Sequence, residues 1–349
     1  MQHRDPLDNY PIEIIRNLIR KARKSPFWRE KVPSKIRSIE EFRTCPITTR
    51  NEMTELYDGG RWNQLLTTSP KKSYIIVTSG GKPYRPPFFS CFSKKEFNQV
   101  SQAISEMLLG TGIKEGRILI TFPGTMPYPF HFAQKIRPTS DLEEYQSMHI
   151  SGPLFKYASI RLGLDTFCTG LRFLAYKISR DEALTESRRI MKAYSISKPD
   201  ILAVSPNILR NVFFSELEKN GQRFCDFDTR IIVCGGSKLE EEDYMRIRTL
   251  GDPKIISWIE SGELGTVGYS NAFSASQSED FFYHTTWRQN LFETVDEDDR
   301  PLPFGSRGRI IVTRLNTFVQ PLIRYDLEDE GQFSIWGSEM VLGKDILKL

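Results

Sequence analysis

Four short runs rich in β-branched residues recur along the chain and constrain its fold more than any other feature. They are Tyr74 to Val77, Arg117 to Thr121, Ile201 to Val204 and Arg230 to Cys234. The first stops at Ser79-Gly80-Gly81-Lys82-Pro83, the third at Ser205-Pro206 and the fourth at Gly235-Gly236. Such runs read as buried strands, and the glycines and prolines as the loops that end them. Helix-like stretches lie between them, at 93–110, 181–195 and 239–250. Strands alternating with helices predict an α/β domain whose mainly parallel sheet is covered by helices, with ligands at the carboxyl ends of the strands. After about residue 264 the helical texture fades. Short runs such as Gly308 to Thr313 and Pro321 to Tyr325 predict a β-rich C-terminal subregion.

The amino-terminal end reads differently. Ile12, Ile15, Leu18, Ile19 and Ala22 recur at helical spacing between arginines and lysines, which predicts an amphipathic helix closed by Pro26. Ser38 followed by Glu41 has the form of a capping box and predicts the start of a short second helix.

The 48 basic and 44 acidic residues are mixed along the chain, without a basic arm or acidic tail, so nucleic acid is not an expected partner. Cys45, Cys91, Cys168, Cys225 and Cys234 are odd in number and widely spaced, which argues against a disulfide framework or a zinc ribbon and for a reducing, cytoplasmic location. No stretch approaches the ~18 apolar residues a spanning helix needs, so no membrane partner is expected.

Four segments hold residues suited to chemistry. At Ser79-Gly80-Gly81-Lys82, after a strand, backbone N–H groups, a hydroxyl and an ammonium group suit a phosphate, although such a segment also serves as a plain turn. Gly235, Gly236 and Ser237 would let the backbone approach a flat ring, because glycine has no Cβ to collide with it; the same residues make an ordinary strand-to-helix turn. Trp258, Glu260, Ser261 and Glu263 set an aromatic ring, two carboxylates and a hydroxyl beside an apolar strand, where a carboxylate near a triphosphate would hold Mg²⁺. Arg324 to Gly331 carries four carboxylates, of which one could accept both hydroxyls of a ribose. The four histidines show no metal-ligand spacing, but His131 lies in the aromatic segment Tyr128 to Phe132, which could line an acyl pocket.

Taken in order, these segments resemble the adenylate-forming superfamily, in its branch of phenylacetate-coenzyme A ligases and coenzyme F390 synthetases. Leu18 to Arg29, Ile36 to Phe42 and Pro46 to Arg50 are similar to the branch's N-terminal helices and its P-x-T-T-K segment. Phe155 to Gly163 is similar to its H-Y-G-A-E-R-L-G helix. Glu279 to Phe282, Pro301 to Gly305, Gly308 to Thr313 and Pro321 to Tyr325 follow its pattern near the end. The resemblance implies ATP-dependent activation of a carboxylic acid as an acyl-adenylate, then transfer to coenzyme A or another thiol. It implies ATP, Mg²⁺ and coenzyme A as cofactors and a small carboxylic acid as substrate.

Carried onto this chain, the resemblance makes Ser79, Gly80, Gly81 and Lys82 the phosphate loop, with Lys82 catalytic. Gly235, Gly236, Ser237 and Trp258 would border adenine, Asp329 and Arg324 would serve the ribose side, and Glu263 would be both catalytic and the metal ligand. Phe122, Tyr128, Phe130, His131, Phe132 and Tyr157 would favour an aryl or otherwise apolar acid.

Two departures qualify that expectation. The family's S-G-T-T-G-x-P loop is here two residues shorter and lacks both threonines, which removes hydroxyl donors. The segment Leu342 to Leu349 is similar to the family's G-R-x-D-D hinge. This predicts a large nucleotide- and acyl-binding domain over 1–341 and a hinge over 342–349, with the small C-terminal domain absent from the chain or supplied in trans by a partner such as an acyl carrier. Two alternatives stand beside this expectation: a non-catalytic nucleotide- or partner-binding domain with a degenerate site, and an acyl-protein synthetase-like transfer to a protein cysteine.

Overall fold

The computed structural model describes residues 11–70, 73, 75–79, 88–122, 150–169, 180–277, 283–286, 289–303, 305–333 and 339–342. The chain opens with four helices, α1 (Ile12–Ala22), α2 (Pro26–Lys31), α3 (Ile39–Arg43) and α4 (Arg50–Asp58). The apolar stripe of α1 packs with Trp28, Phe42 and Ile36 against Leu291, Leu315 and Ile323. Pro26, expected to close the first helix, instead opens the second: Ser25 caps it and proline takes the first turn, where its missing N–H has no partner to lose. Ser38 caps α3 by accepting from Glu41 N, while the Glu41 carboxylate reaches back to Arg37 N instead of closing a reciprocal box.

The run expected as the first strand of the parallel sheet takes another role. β1 (Ile75–Ser79) pairs antiparallel with β2 (Phe88–Phe92) in a separate two-stranded sheet. Then follow α5 (Lys94–Gly110), β3 (Arg117–Ile120), α6 (Ser151–Arg161), β4 (Asp165–Cys168), α7 (Arg180–Ser197) and β5 (Ile201–Val204). A helical stretch comes next, α8 (Pro206–Ile208) passing through a π-helical turn at Leu209–Phe214 into α9 (Ser215–Lys219). The chain continues with β6 (Ile231–Gly235), α10 (Glu241–Thr249) and β7 (Lys254–Ser261).

Strands β4, β3, β5, β6 and β7 lie side by side in that order, all parallel. Their side chains alternate between two cores, as a strand's period of two requires. Ile118, Ile120, Ile201, Ala203, Ile231, Val233, Ile256 and Trp258 face α5 and α6. Leu119, Leu202, Val204, Ile232, Cys234 and Ile255 face α7, the π-helical turn and α10. Covering both faces explains why these strands read as unbroken apolar runs.

From β7 the same sheet, eleven-stranded among the described residues, turns antiparallel, through β8 (Gly265–Ser270) and β9 (Tyr283–Thr285). The outer part is built from β10 (Asn290–Val295), β11 (Gly308–Arg314), β12 (Tyr325–Phe333) and β13 (Glu339–Leu342). This is the β-rich subregion expected after residue 264. Among the described residues no helix is long and apolar enough to cross a membrane.

Candidate functional site

The order of the parallel strands fixes where a ligand can sit. From β3 the chain moves to β4 on one side, then crosses back to β5 on the other, so the strand order reverses between β3 and β5. At such a switch point the loops diverge and leave a crevice outside the carboxyl ends of the strands. Thr121 and Phe122 follow β3 there, Ser205 and Pro206 follow β5, Gly236 and Ser237 follow β6, and the turn at Gly262–Leu264 follows β7.

Gly235 pairs with Trp258 across β6 and β7. The flat ring that approaches this glycine is the Trp258 indole of the chain itself: a Cβ on Gly235 would lie 2.6 Å from Trp258 Cε3. Trp258 is 2% exposed, packs against Phe122 and Phe155, and donates its Nε1–H to Thr266 Oγ1 at 3.2 Å. Trp258 is expected to offer an aromatic face to adenine, and the structure places its ring within the core. Phe122 packs in the same cluster. Tyr157 is half-buried and meets Phe97 edge to face. Beyond Gly235 the backbone turns at Gly236 with φ +93°, a left-handed conformation that glycine adopts without strain, and Gly236 and Ser237 are exposed. Arg210 and Asp243 brace this loop from behind, with Nε to Oδ1 at 2.8 Å and Asp243 also accepting from Glu240 N.

Glu263 sits in the turn between β7 and β8 and is 3% exposed. Its Oε1 faces Arg50 Nη1 at 3.2 Å, and its Oε2 accepts from the Ser261 hydroxyl. Tyr325 lies beside it. Burial, and after it the Glu263 carboxylate, holds the Tyr325 phenol protonated well above its ordinary range. Between Trp258 and Ser261 lie Ile259 and Glu260, and Glu260 accepts from the Ser151 hydroxyl.

Arg50 reaches Glu263 because the segment before α4 is pinned to the start of β12. Thr48 N donates to Arg324 O at 2.7 Å, and Asp326 N donates to Thr48 O at 2.9 Å. Thr49 then caps α4 in a capping box with Glu52. Sequence reasoning did not single out Arg50 or Tyr325 as site residues. One signal was available: an arginine in the first turn of a capped helix opposes the helix dipole, so its charge has to be balanced elsewhere.

Arg324 is likewise not offered to a ligand. It is 2% exposed, its Nε faces Glu293 Oε2 at 3.3 Å, and its guanidinium donates to Cys45 O. That arginine, expected on the ribose side of a nucleotide, holds the amino-terminal helices to the antiparallel strands. Asp329 is exposed on β12. Ser79 ends β1. Gly80, Gly81, Lys82, Tyr128, Phe130, His131 and Phe132 lie outside the described residues.

A divalent metal on Glu263 fits this donor set poorly. The carboxylate is already balanced by a guanidinium, and among the described residues no group of three or more His, Cys, Asp or Glu could hold a metal ion. A second cation beside Arg50 would be repelled in a site this buried.

The chain is similar in structure to 2-hydroxyisobutyryl-CoA ligase. An open conformation of that enzyme in complex with 2-HIB-AMP and CoA matches with a TM-score of 0.71 and 16% identity, over 95% of this chain and 72% of the other. Its thioesterification state with the same two ligands matches with a TM-score of 0.72 and 16% identity, over 95% of this chain and 65% of that one. The postadenylation state in complex with 2-HIB-AMP gives 0.71 and 16%, again over 95% and 65%. The chain thus spans between 65% and 72% of the lengths of these matched chains. No protein-family model and no curated protein sequence matches it. The likeness shows the fold, which is that of the adenylate-forming ligases.

Proposed function

We propose that this chain activates a carboxylic acid with ATP, forming an acyl-adenylate and pyrophosphate, for transfer to coenzyme A or another thiol. The observation that carries the reading is the strand-order reversal between β3 and β5, with Gly236, Ser237 and Glu263 at the same carboxyl end of the sheet, in a chain with the fold of adenylate-forming ligases. Glycine-bearing loops at that end suit a nucleotide, since close backbone approach supplies N–H donors without a side chain in the way. The phosphate loop is Ser79 to Lys82, Gly236 and Ser237 border the base, and Asp329 meets the ribose.

Chemically, moving an adenylyl group onto a carboxylate requires the α-phosphate to be held in line and its developing charge neutralised. Lys82 would supply one cation. Magnesium would come with the nucleotide, as it usually does when few protein carboxylates are available. The acid is aryl or otherwise apolar, a choice that rests on the aromatic segment from Tyr128 to Phe132 in the sequence. The branch of phenylacetate-coenzyme A ligases accounts best for the ordered motifs. All five cysteines are free thiols, which suits a reducing, cytoplasmic setting.

A second reading, a nucleotide- or partner-binding domain without turnover, is favoured by one observation: Glu263 is engaged by Arg50. Acid-dependent exchange of pyrophosphate into ATP separates the two, tested over a panel of aryl and aliphatic acids on this chain and on longer chains that contain it. Exchange with at least one apolar acid is expected under the first reading. ATP binding by calorimetry without exchange supports the second, and no binding of ATP or AMP at about millimolar concentration rejects both.

A further inference from the structure

We propose that Arg50 is a phosphate-facing cation of the nucleotide site and that Glu263 anchors it, instead of serving as the ligand of a divalent metal. The proposal rests on the adenylation reading for the identity of the ligand, a nucleoside polyphosphate. Its geometry rests on the contacts around Glu263 alone.

The first support is the state of the carboxylate. Oε1 faces Arg50 Nη1 at 3.2 Å and Oε2 takes the Ser261 hydroxyl, while the neutral Tyr325 phenol closes a further side. A buried carboxylate with a guanidinium partner is a balanced pair, and a dication added to it has to displace or repel that partner.

The second support is the way Arg50 is delivered. Thr48 is bridged to Tyr325, with backbone hydrogen bonds on both sides and Thr48 Oγ1 donating to Ile323 O at 3.1 Å. These bonds fix the backbone two residues before the arginine, and the Thr49–Glu52 capping box fixes the helix that carries it. Helix propensity does not explain a cation there, since the amino-terminal end of α4 is the positive pole of its dipole. Local rules that are broken without local gain mark functional positions.

The third support is location. The turn holding Glu263 leaves the carboxyl end of β7, next to the end of β6, so its ion pair brings Arg50 from the amino-terminal helices to that end of the sheet. Its side chain is 18% exposed, so it is not sealed in with the Glu263 carboxylate. A guanidinium offers several donors to phosphate oxygens, which suits a polyphosphate ligand at that end of the sheet.

The test combines thermal unfolding with calorimetry on the wild-type chain, R50Q, R50K, E263Q and the R50Q/E263Q double variant. If the pair exists, each neutralising variant lowers the melting temperature and the double variant falls less than the two losses together. With EDTA present, R50Q is expected to bind ATP about tenfold more weakly than wild type, whereas R50K recovers part of the affinity. The Mg²⁺ concentration that half-saturates ATP binding is expected to stay within about twofold of wild type in E263Q, because no metal ligand has been removed. A severalfold rise in that concentration makes Glu263 a metal ligand and overturns the proposal. So does an R50Q chain that binds metal-free ATP as tightly as wild type. A wild-type chain that binds no ATP overturns the adenylation reading along with this one, and the wild-type measurement tells that outcome apart from the others.

Discussion

Gly235 lies so close under Trp258 that an added Cβ would come within 2.6 Å of both the indole Cε3 and the Trp258 carbonyl oxygen. Neither can move cheaply. The oxygen belongs to a strand, and the ring is packed between Phe122 and Phe155. Gly235→Ala is therefore expected to destabilise the fold by about 1–3 kcal/mol, as overpacking of a filled core does. Urea unfolding measures it, and a variant as stable as wild type would show that β6 and β7 do not approach as described.

The loop after Gly235 depends on a second contact behind it. Asp243 is buried at the start of α10, where it accepts from Arg210 Nε and Nη2 and from the backbone N–H of Glu240. Asp243→Ala removes a bidentate ion pair and a cap at once, leaving the partly exposed Arg210 with the Glu240 carboxylate at 3.3 Å. A loss of about 2–3 kcal/mol is expected, with Asp243→Asn falling between alanine and wild type. Equal stabilities for the asparagine and alanine variants would contradict the bidentate geometry.

These two pairs show what the chain's pattern makes legible and what it conceals. The strands at Ile201–Val204 and Ile231–Gly235 could be read from the sequence because both of their faces are buried, which leaves a continuous apolar signature. The Tyr74 to Val77 run carries a similar signature, yet among the described residues β1 pairs with β2 and not with the parallel strands, since local composition does not specify a partner strand. In the same way Trp258, Phe122 and Arg324 are residue types that suit a nucleotide or an acyl group equally well as a core. Burial decides between the two, and burial comes from the tertiary fold. Arg50 was hidden for the opposite reason, being separated from Glu263 by more than half the chain.

The buried thiols predict a pH dependence. Burial pushes Cys45 up to about 11 and Cys91 up to about 12. In the unfolded chain both would ionise near 8.5. A pKa raised in the folded state means that stability is intact below the unfolded value and is lost as pH rises toward the folded one. Between pH 8 and pH 10 each thiol should thus cost about 2 kcal/mol of unfolding free energy. Urea unfolding at the two pH values is expected to show the fall, to which the buried Cys234 adds in the same direction, and Cys91→Ala to remove about 2 kcal/mol of it. A Cys91→Ala profile identical to wild type would mean that this thiol is not shielded.

Arg314 poses a sharper demand, because a guanidinium is fully buried there. It lies over the Phe92 ring, 4.4 Å from the centroid, and its Nη2 has no hydrogen-bond partner among the described residues. Burial lowers its pKa, while the carboxylate of Glu96 raises it. Glu96 is itself satisfied by the backbone N–H groups of Ser93, Phe318 and Val319. Beside the arginine is a cavity of about 10 Å³ lined by Gln99, Gln289, Asn290 and Asn316, and Gln99 Oε1 is also without a partner among the described residues. That volume is at the threshold for one water, which could accept from Nη2 and donate to Gln99. A crystal structure is expected to show it ordered between those atoms. Arg314→Met strips Glu96 of its compensating charge and should destabilise by about 2–4 kcal/mol, whereas adding Glu96→Gln should return part of the loss by removing the uncompensated anion. A double variant no more stable than Arg314→Met would mean that the two charges, though buried within one core, do not balance each other.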